Sequence, residues 1–230
     1  MIQALHPLAM AGVAQHSDYA KNPLNRFRRT AQFMHHVVYS DTQTARDAAA
    51  HVHKVHKYIR GVDPVTGRNY DANDPELLLW VHCVAAHSCI TAYDAFVREI
   101  DPAERDRFFA EQVALAELGG VPRELVPDSA AAYREYFQRM LPSLCLSRAA
   151  ADTIRFVSRP NMRLVKPSDW PFAINLKFAG HAAVTLVPRS IRQIALDHAL
   201  HFEQVASTFD GIASRAFGTE PLPAAARGRD

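Results

Sequence analysis

One stretch, Glu76-Leu-Leu-Leu-Trp-Val-His-Cys-Val-Ala-Ala-His-Ser-Cys-Ile-Thr-Ala-Tyr93, constrains the fold more than any other. Wound at 100° per residue it is apolar on all sides, the pattern of a central helix that other elements must cover. The punctuation of the chain says those elements are helices too. Asn22-Pro23, Asp74-Pro75 and Asp101-Pro102 each set a capping side chain before a proline suited to a first helical turn.

These signals predict helices over residues 23–39, 44–60 with Gly61 as terminator, 75–98, and 102–118 ending at Gly119-Gly120. Further helical stretches follow at 128–140, 147–158 and 170–209, the last interrupted by Pro188. Residues 62–73 are dense in turn formers and read as a structured loop. No run of four to eight residues alternates apolar with polar, so no sheet is expected. The fold class is all-α: a multi-helix bundle in one domain over residues 1–218, with a flexible tail at 219–230.

Of 230 residues, 48% are hydrophobic and 22% charged, ordinary for a globular chain. The 26 basic and 24 acidic residues are interspersed, and no basic stripe offers itself to nucleic acid. Cys83 and Cys89 share a helix at a spacing of six that cannot bring their sulfurs together, so reduced thiols in a small-residue core are expected. The first residues lack the basic and apolar regions of a secretory signal, and no apolar run reaches 18 residues; the expectation is a cytoplasmic protein with no transmembrane segment.

Two constellations stand out. On the predicted 44–60 helix, Val52, Val55 and Ile59 share a face, and His56 falls between them, pointing inward; His53 lies at the edge of that stripe and His51 well off it. A buried imidazole needs a partner, either a backbone carbonyl or a metal ion such as iron or zinc. On the 23–39 helix, Arg26, Thr30, Phe33 and Val37 share a face with Arg29 beside it, which sets a guanidinium and a hydroxyl among core residues. A buried arginine needs an anion: a carboxylate of the protein, or a ligand carboxylate or polarised oxygen. His82 and His87 fall on different faces of their helix and cannot chelate one ion together. There are no Glu-x-x-His repeats for a di-iron bundle, no phosphate-binding glycine loop, no Gly-x-Ser-x-Gly elbow and no Cys-x-x-Cys pair.

Four segments in order carry a family likeness: His6-Pro7 with Ala11-Gly-Val-Ala-Gln-His-Ser-Asp-Tyr19; Asn22-Pro-Leu-Asn-Arg-Phe-Arg-Arg-Thr30; His56-Lys-Tyr-Ile-Arg-Gly61; and Gly67-Arg-Asn-Tyr-Asp-Ala-Asn-Asp-Pro-Glu-Leu-Leu-Leu-Trp-Val-His82. They resemble the haem b oxygenase family that includes the latex clearing (rubber oxygenase) proteins and the membrane-bound oxygenase of mycophenolic acid biosynthesis. The likeness covers about the first half of the chain and thins beyond Phe109, although Leu186-Val-Pro-Arg-Ser-Ile-Arg192 is similar to a late family element.

The resemblance implies a globin-like helical core around a haem pocket, with His56 as the proximal ligand of the haem iron. It implies that Arg26 and Thr30 are the catalytic pair near the distal side, where polar groups steady charge on oxygen bound at a His-ligated haem as it attacks an unsaturated, apolar small molecule. Arg29 stands where the rubber oxygenases have a lysine able to reach the iron. Arginine stays protonated and is a poor ligand, so the distal position is expected to be open or water-bound, with Arg29 directed to the cofactor as Arg60 is. Two other classes fit the same residues: a non-catalytic haem carrier or gas sensor, and a metal-free helical interaction module. A homodimer is compatible with either.

Overall fold

The computed structural model describes residues 1–17, 23–158, 170–188 and 191. Among them run eight α-helices and one antiparallel ribbon: α1 (Pro7–His16), α2 (Pro23–Tyr39), α3 (Thr42–His56), β1 (Arg60–Val62), β2 (Asn69–Asp71), α4 (Pro75–Phe96), α5 (Pro102–Leu118), α6 (Ala130–Met140), α7 (Arg148–Ser158) and α8 (Trp170–Leu186). The protein is all-α, as the caps and periodicity predict. Asp101 opens α5 with a reciprocal capping box, its carboxylate accepting from Glu104 N at 2.9 Å while the Glu104 side chain accepts from Asp101 N. Asp74 accepts from Glu76 N at 2.8 Å at the start of α4. The third capping residue, Asn22, residues 189–209 of the last predicted helix other than Ile191, and the 219–230 tail lie outside the described residues.

Three expectations are corrected. Helix α1 forms where the sequence signals no boundary; it buries Leu8, Met10 and Ala11. Helix α3 begins at Thr42, where Asp41 accepts from Gln43 N and Thr44 N, and it ends at His56 rather than Arg60. The predicted loop of residues 62–73 contains most of a hairpin, with Arg60 opposite Asp71, Gly61 opposite Tyr70 and Val62 opposite Asn69. Its turn is built by buried Asp63, whose carboxylate accepts from Val65 N, Thr66 N and the Thr66 hydroxyl at 3.2, 2.8 and 2.6 Å. Gly67, at φ +70°, takes the left-handed position that closes it.

Backbone packing divides the chain into two compact units, to both of which α4 contributes. The unit made of residues 7–87 and 101–137 centres on Trp80, Cys83, Val113, Ala116 and Tyr133. Phe109 stacks on Tyr133 with centroids 3.9 Å apart, and such a pair adds about 0.5–1.5 kcal/mol beyond its buried area. A second cluster, Leu8, Ala11, Tyr70 and Leu77 with Ile59 against it, seats the hairpin on α1. In the other unit, made of the described parts of residues 1–6, 88–100 and 138–230, Cys145 N donates to Leu5 O at 2.8 Å and α7 packs on α8 around Ala150, Ile154 and Thr185.

Helix α4 is not covered all round. Leu77, Trp80, Cys83, Val84 and Ile90 are buried, whereas Val81, Ala85, Cys89, Tyr93 and Phe96 form an exposed stripe at spacings of three and four. Cys89 is therefore a surface thiol and not a core residue. The three cysteines are free, as their spacing predicts.

Candidate functional site

The inward stripe of α3 is Ala45, Ala49, Val52 and His56, spaced i, i+4, i+7 and i+11. His56 points inward as expected, but through a different stripe: Val55 is 45% exposed, and Ile59 lies beyond the helix, packed against the Tyr70 cluster. The small side chains at 45 and 49 and the histidine at 56 therefore share one face. His56 closes the helix, and its carbonyl accepts from Ile59 N at 2.9 Å as the chain turns toward β1.

Its imidazole is half-buried, and Nδ1 is sealed from water without a hydrogen-bond partner. Burial first, then the neighbouring His53 and the Arg26 guanidinium, hold its proton affinity below the ordinary histidine range; the Ala72 backbone and Asp71 oppose them only partly. His56 is thus a neutral imidazole at pH 7, the form that binds a metal. The contrast with His53, one turn earlier, is sharp. Nδ1 of His53 lies 3.1 Å from Asn73 Oδ1, Asn73 Nδ2 donates to His53 O at 3.1 Å, and the ring edge bearing Cε1 and Nε2 rests on Gly120.

Helix α2 lies along α3 and brings the Arg26 charge within range of His56. The expected burial of that face is corrected: Arg26, Arg29 and Thr30 are exposed, while Phe33 and Val37 are half-buried. The face is a rim rather than core, so a guanidinium there keeps its hydration and costs little. The Thr30 hydroxyl donates to Arg26 O at 3.1 Å, one turn back on the same helix. Arg60 sits opposite Asp71 in the ribbon, and its Nε lies 2.9 Å from Asp71 Oδ2.

The two α4 histidines, five residues apart, fall on different faces of the helix. Nε2 of His82 and Nδ1 of His87 are buried without partners, and burial pushes each ring down to about 4. The His87 ring stands edge-on to Phe137 at 5.0 Å. Sequence reasoning missed Asn73 and Gly120. Asn73 lies in a run of turn formers and Gly120 ends a helix, and neither position signals that the other end of its contact is His53.

Among the described residues no group of three or more His, Cys, Asp or Glu side chains converges to hold a metal ion. Nor is any described helix long and apolar enough to cross a membrane. No curated protein and no solved structure matches the chain. A family model, that of the ER-bound oxygenase mpaB/B'/rubber oxygenase catalytic domain, matches residues 1–206, well beyond Phe109 where the motif likeness thins. That span takes in α2, the His56 turn, the ribbon and α4, and on it the chain belongs to the mpaB/rubber oxygenase family as an oxygenase catalytic domain.

Proposed function

We propose that this oxygenase depends on haem b, with His56 as the iron ligand, and acts with O2 on an apolar unsaturated small molecule. The observation that carries the reading is the His56 imidazole: inward, neutral, and with a buried Nδ1 that has no partner within the protein. A lone imidazole holds a bare divalent ion only weakly but is enough for haem iron, whose in-plane ligands come from the porphyrin. Haem, when bound, supplies the oxygen chemistry, and the chain supplies binding and electrostatics.

Each residue has a task in this reading. Burial and the Arg26 charge keep the proton off His56, so its lone pair is available at neutral pH. Arg26 is a fixed cation whose charge reaches His56, suited to steadying negative charge that develops on a reacting oxygen. Thr30 already spends its proton on Arg26 O; turning it toward a substrate forfeits a bond worth about 0.5–1.5 kcal/mol. Arg29 and Arg60 are exposed guanidiniums suited to the cofactor's carboxylates. Arg60 would exchange an exposed ion pair with Asp71, worth about 0–1 kcal/mol, for that contact. Exposed Phe27, Met34 and Val38 on α2 and Val55 on α3 give these two helices apolar surface of the kind an apolar ligand needs.

The exposure of Arg26, Arg29 and Thr30 favours a second reading, a haem carrier or gas sensor, because oxygenation chemistry gains from excluding water. One experiment separates the readings: absorption spectra of the chain expressed with haem precursor, ferric, ferrous and ferrous with carbon monoxide, beside His56→Ala. The oxygenase reading expects a Soret band that responds to reduction and carbon monoxide, is lost in His56→Ala, and accompanies O2 consumption with an unsaturated substrate. Ligand binding without turnover favours the carrier. A well-folded chain with no Soret band, or a variant with full haem content, overturns the assignment of His56.

A further inference from the structure

The chain carries two imidazoles one helical turn apart at the end of α3, His53 close enough to act electrostatically on His56. At a spacing of three, His53 and His56 lie on neighbouring positions of the helix surface, so a metal offered one is offered the other. Yet their surroundings differ in kind. His53 is held at both ends of its ring: Asn73 Oδ1 at 3.1 Å from Nδ1, and Gly120 against Cε1 and Nε2. A side chain at Gly120 would collide with that edge, and its φ of +93° suits glycine alone.

Asn73 is itself fixed. Its amide donates to His53 O, and its backbone N–H donates to Asp71 Oδ1 at 2.9 Å, while the other oxygen of Asp71 meets Arg60 at 2.9 Å. Ala72 N donates to Ile59 O at 3.0 Å, closing the same turn from the next residue. The segment after β2 thus holds the last turn of α3 at His53 and the chain just beyond it at Ile59, on either side of His56.

We infer that Asn73 and Gly120 form a positioning clamp that withdraws His53 from coordination and leaves His56, of these two imidazoles, as the one open to a metal. The inference rests on the reading of His56 as a ligand but not on the identity of the metal. Without the clamp, His53 and His56 become an i, i+3 pair able to chelate one divalent ion, and iron placed there faces two competing ligands.

The test uses the full chain free of haem, with Ni2+ as the probe, because imidazole binds Ni2+ without a porphyrin. Wild type is compared with Asn73→Ala, Asn73→Asp and the double variant Asn73→Ala/His53→Gln by calorimetric titration. Asn73→Ala is expected to bind Ni2+ tighter by about tenfold, the gain disappearing in the double variant. Asn73→Asp, which still accepts from His53, is expected to stay within about twofold of wild type. Absence of a gain in Asn73→Ala, or a gain that survives His53→Gln, overturns the clamp. Circular dichroism confirms that each variant is folded, and Gly120→Ala, which evicts the ring by contact rather than by loss of a hydrogen bond, provides an independent route to the same gain. The outcome is separate from that of the haem assignment: a chain that takes up no haem still reports on the clamp through Ni2+.

Discussion

The Tyr70 hydroxyl donates to Gln15 Oε1 at 2.8 Å, tying β2 to the last turn of α1 over the backbone of Gly61. His16 Nε2 stands 3.1 Å from the same hydroxyl and 3.2 Å from Arg60 O, and Gln15 Nε2 donates to Val62 O at 3.0 Å. The ribbon that follows His56 is therefore anchored by polar contacts from a helix some fifty residues earlier. A Cβ at Gly61 would come within 2.7 Å of the Tyr70 oxygen and 3.0 Å of Gln15 Oε1. Gly61→Ala must displace this network and is expected to cost about 1–3 kcal/mol. Tyr70→Phe removes the hydroxyl's contacts with Gln15 and His16, both exposed and able to turn to water, and should cost about 0.5–1.5 kcal/mol. Urea denaturation of both variants checks the order; a Gly61→Ala protein as stable as wild type contradicts the close approach.

Acid should destabilise the fold through α4. In the unfolded chain His82 and His87 titrate near 6.5, whereas burial holds them near 4 in the folded protein. Between those values the unfolded state binds more protons, so stability falls as pH drops from about 6.5 toward 4, by about 1.4 kcal/mol per pH unit for each ring. Urea midpoints measured from pH 7 to pH 4.5 should show this slope, reduced by about one proton in His87→Leu. An unchanged slope in that variant places the acid sensitivity elsewhere.

The three thiols should differ in reactivity by position rather than by sequence context. Cys83 is fully buried beside Tyr133, and burial pushes its thiol up to about 12, so it is protonated and inaccessible. Cys89 is exposed and Cys145 half-buried. Under native conditions an alkylating reagent should label Cys89 first and Cys83 only on unfolding, with peptide mapping as the readout. Labelling of Cys83 at the rate of Cys89 would show that the core around Tyr133 does not close over it.

Asp101→Ala should remove the carboxylate half of the capping box on α5, leaving the backbone N–H of residue 101 to donate to Glu104, and lower stability by about 0.5–2 kcal/mol. Glu104→Ala loses only the weaker reciprocal contact, at 3.4 Å, and should cost less. Thermal unfolding of the two variants gives the ranking.

Sequence by itself determined the helical class and most helix ends, because caps, prolines and periodicity act within a few residues. Asn and Asp before proline, and Gly119-Gly120 after Leu118, carry their meaning locally, and α2 and α5 run between the residues they mark. It also singled out His56 and, through the ordered motifs, the oxygenase family. What it could not decide was every feature set by partners distant in the chain. Gly61 looked like the terminator of α3, yet the helix stops at His56, where Asn73 caps His53 O from twenty residues away and Ala72 takes up Ile59 O. Arg26 and Thr30 share a helical face with apolar residues, but whether that face is core or rim depends on what packs over it, and the structure leaves it at the rim. His53 and His56 are the same side chain one turn apart. Only the tertiary structure distinguishes them, by setting Asn73 and Gly120 against one ring and leaving a nitrogen of the other buried without a partner.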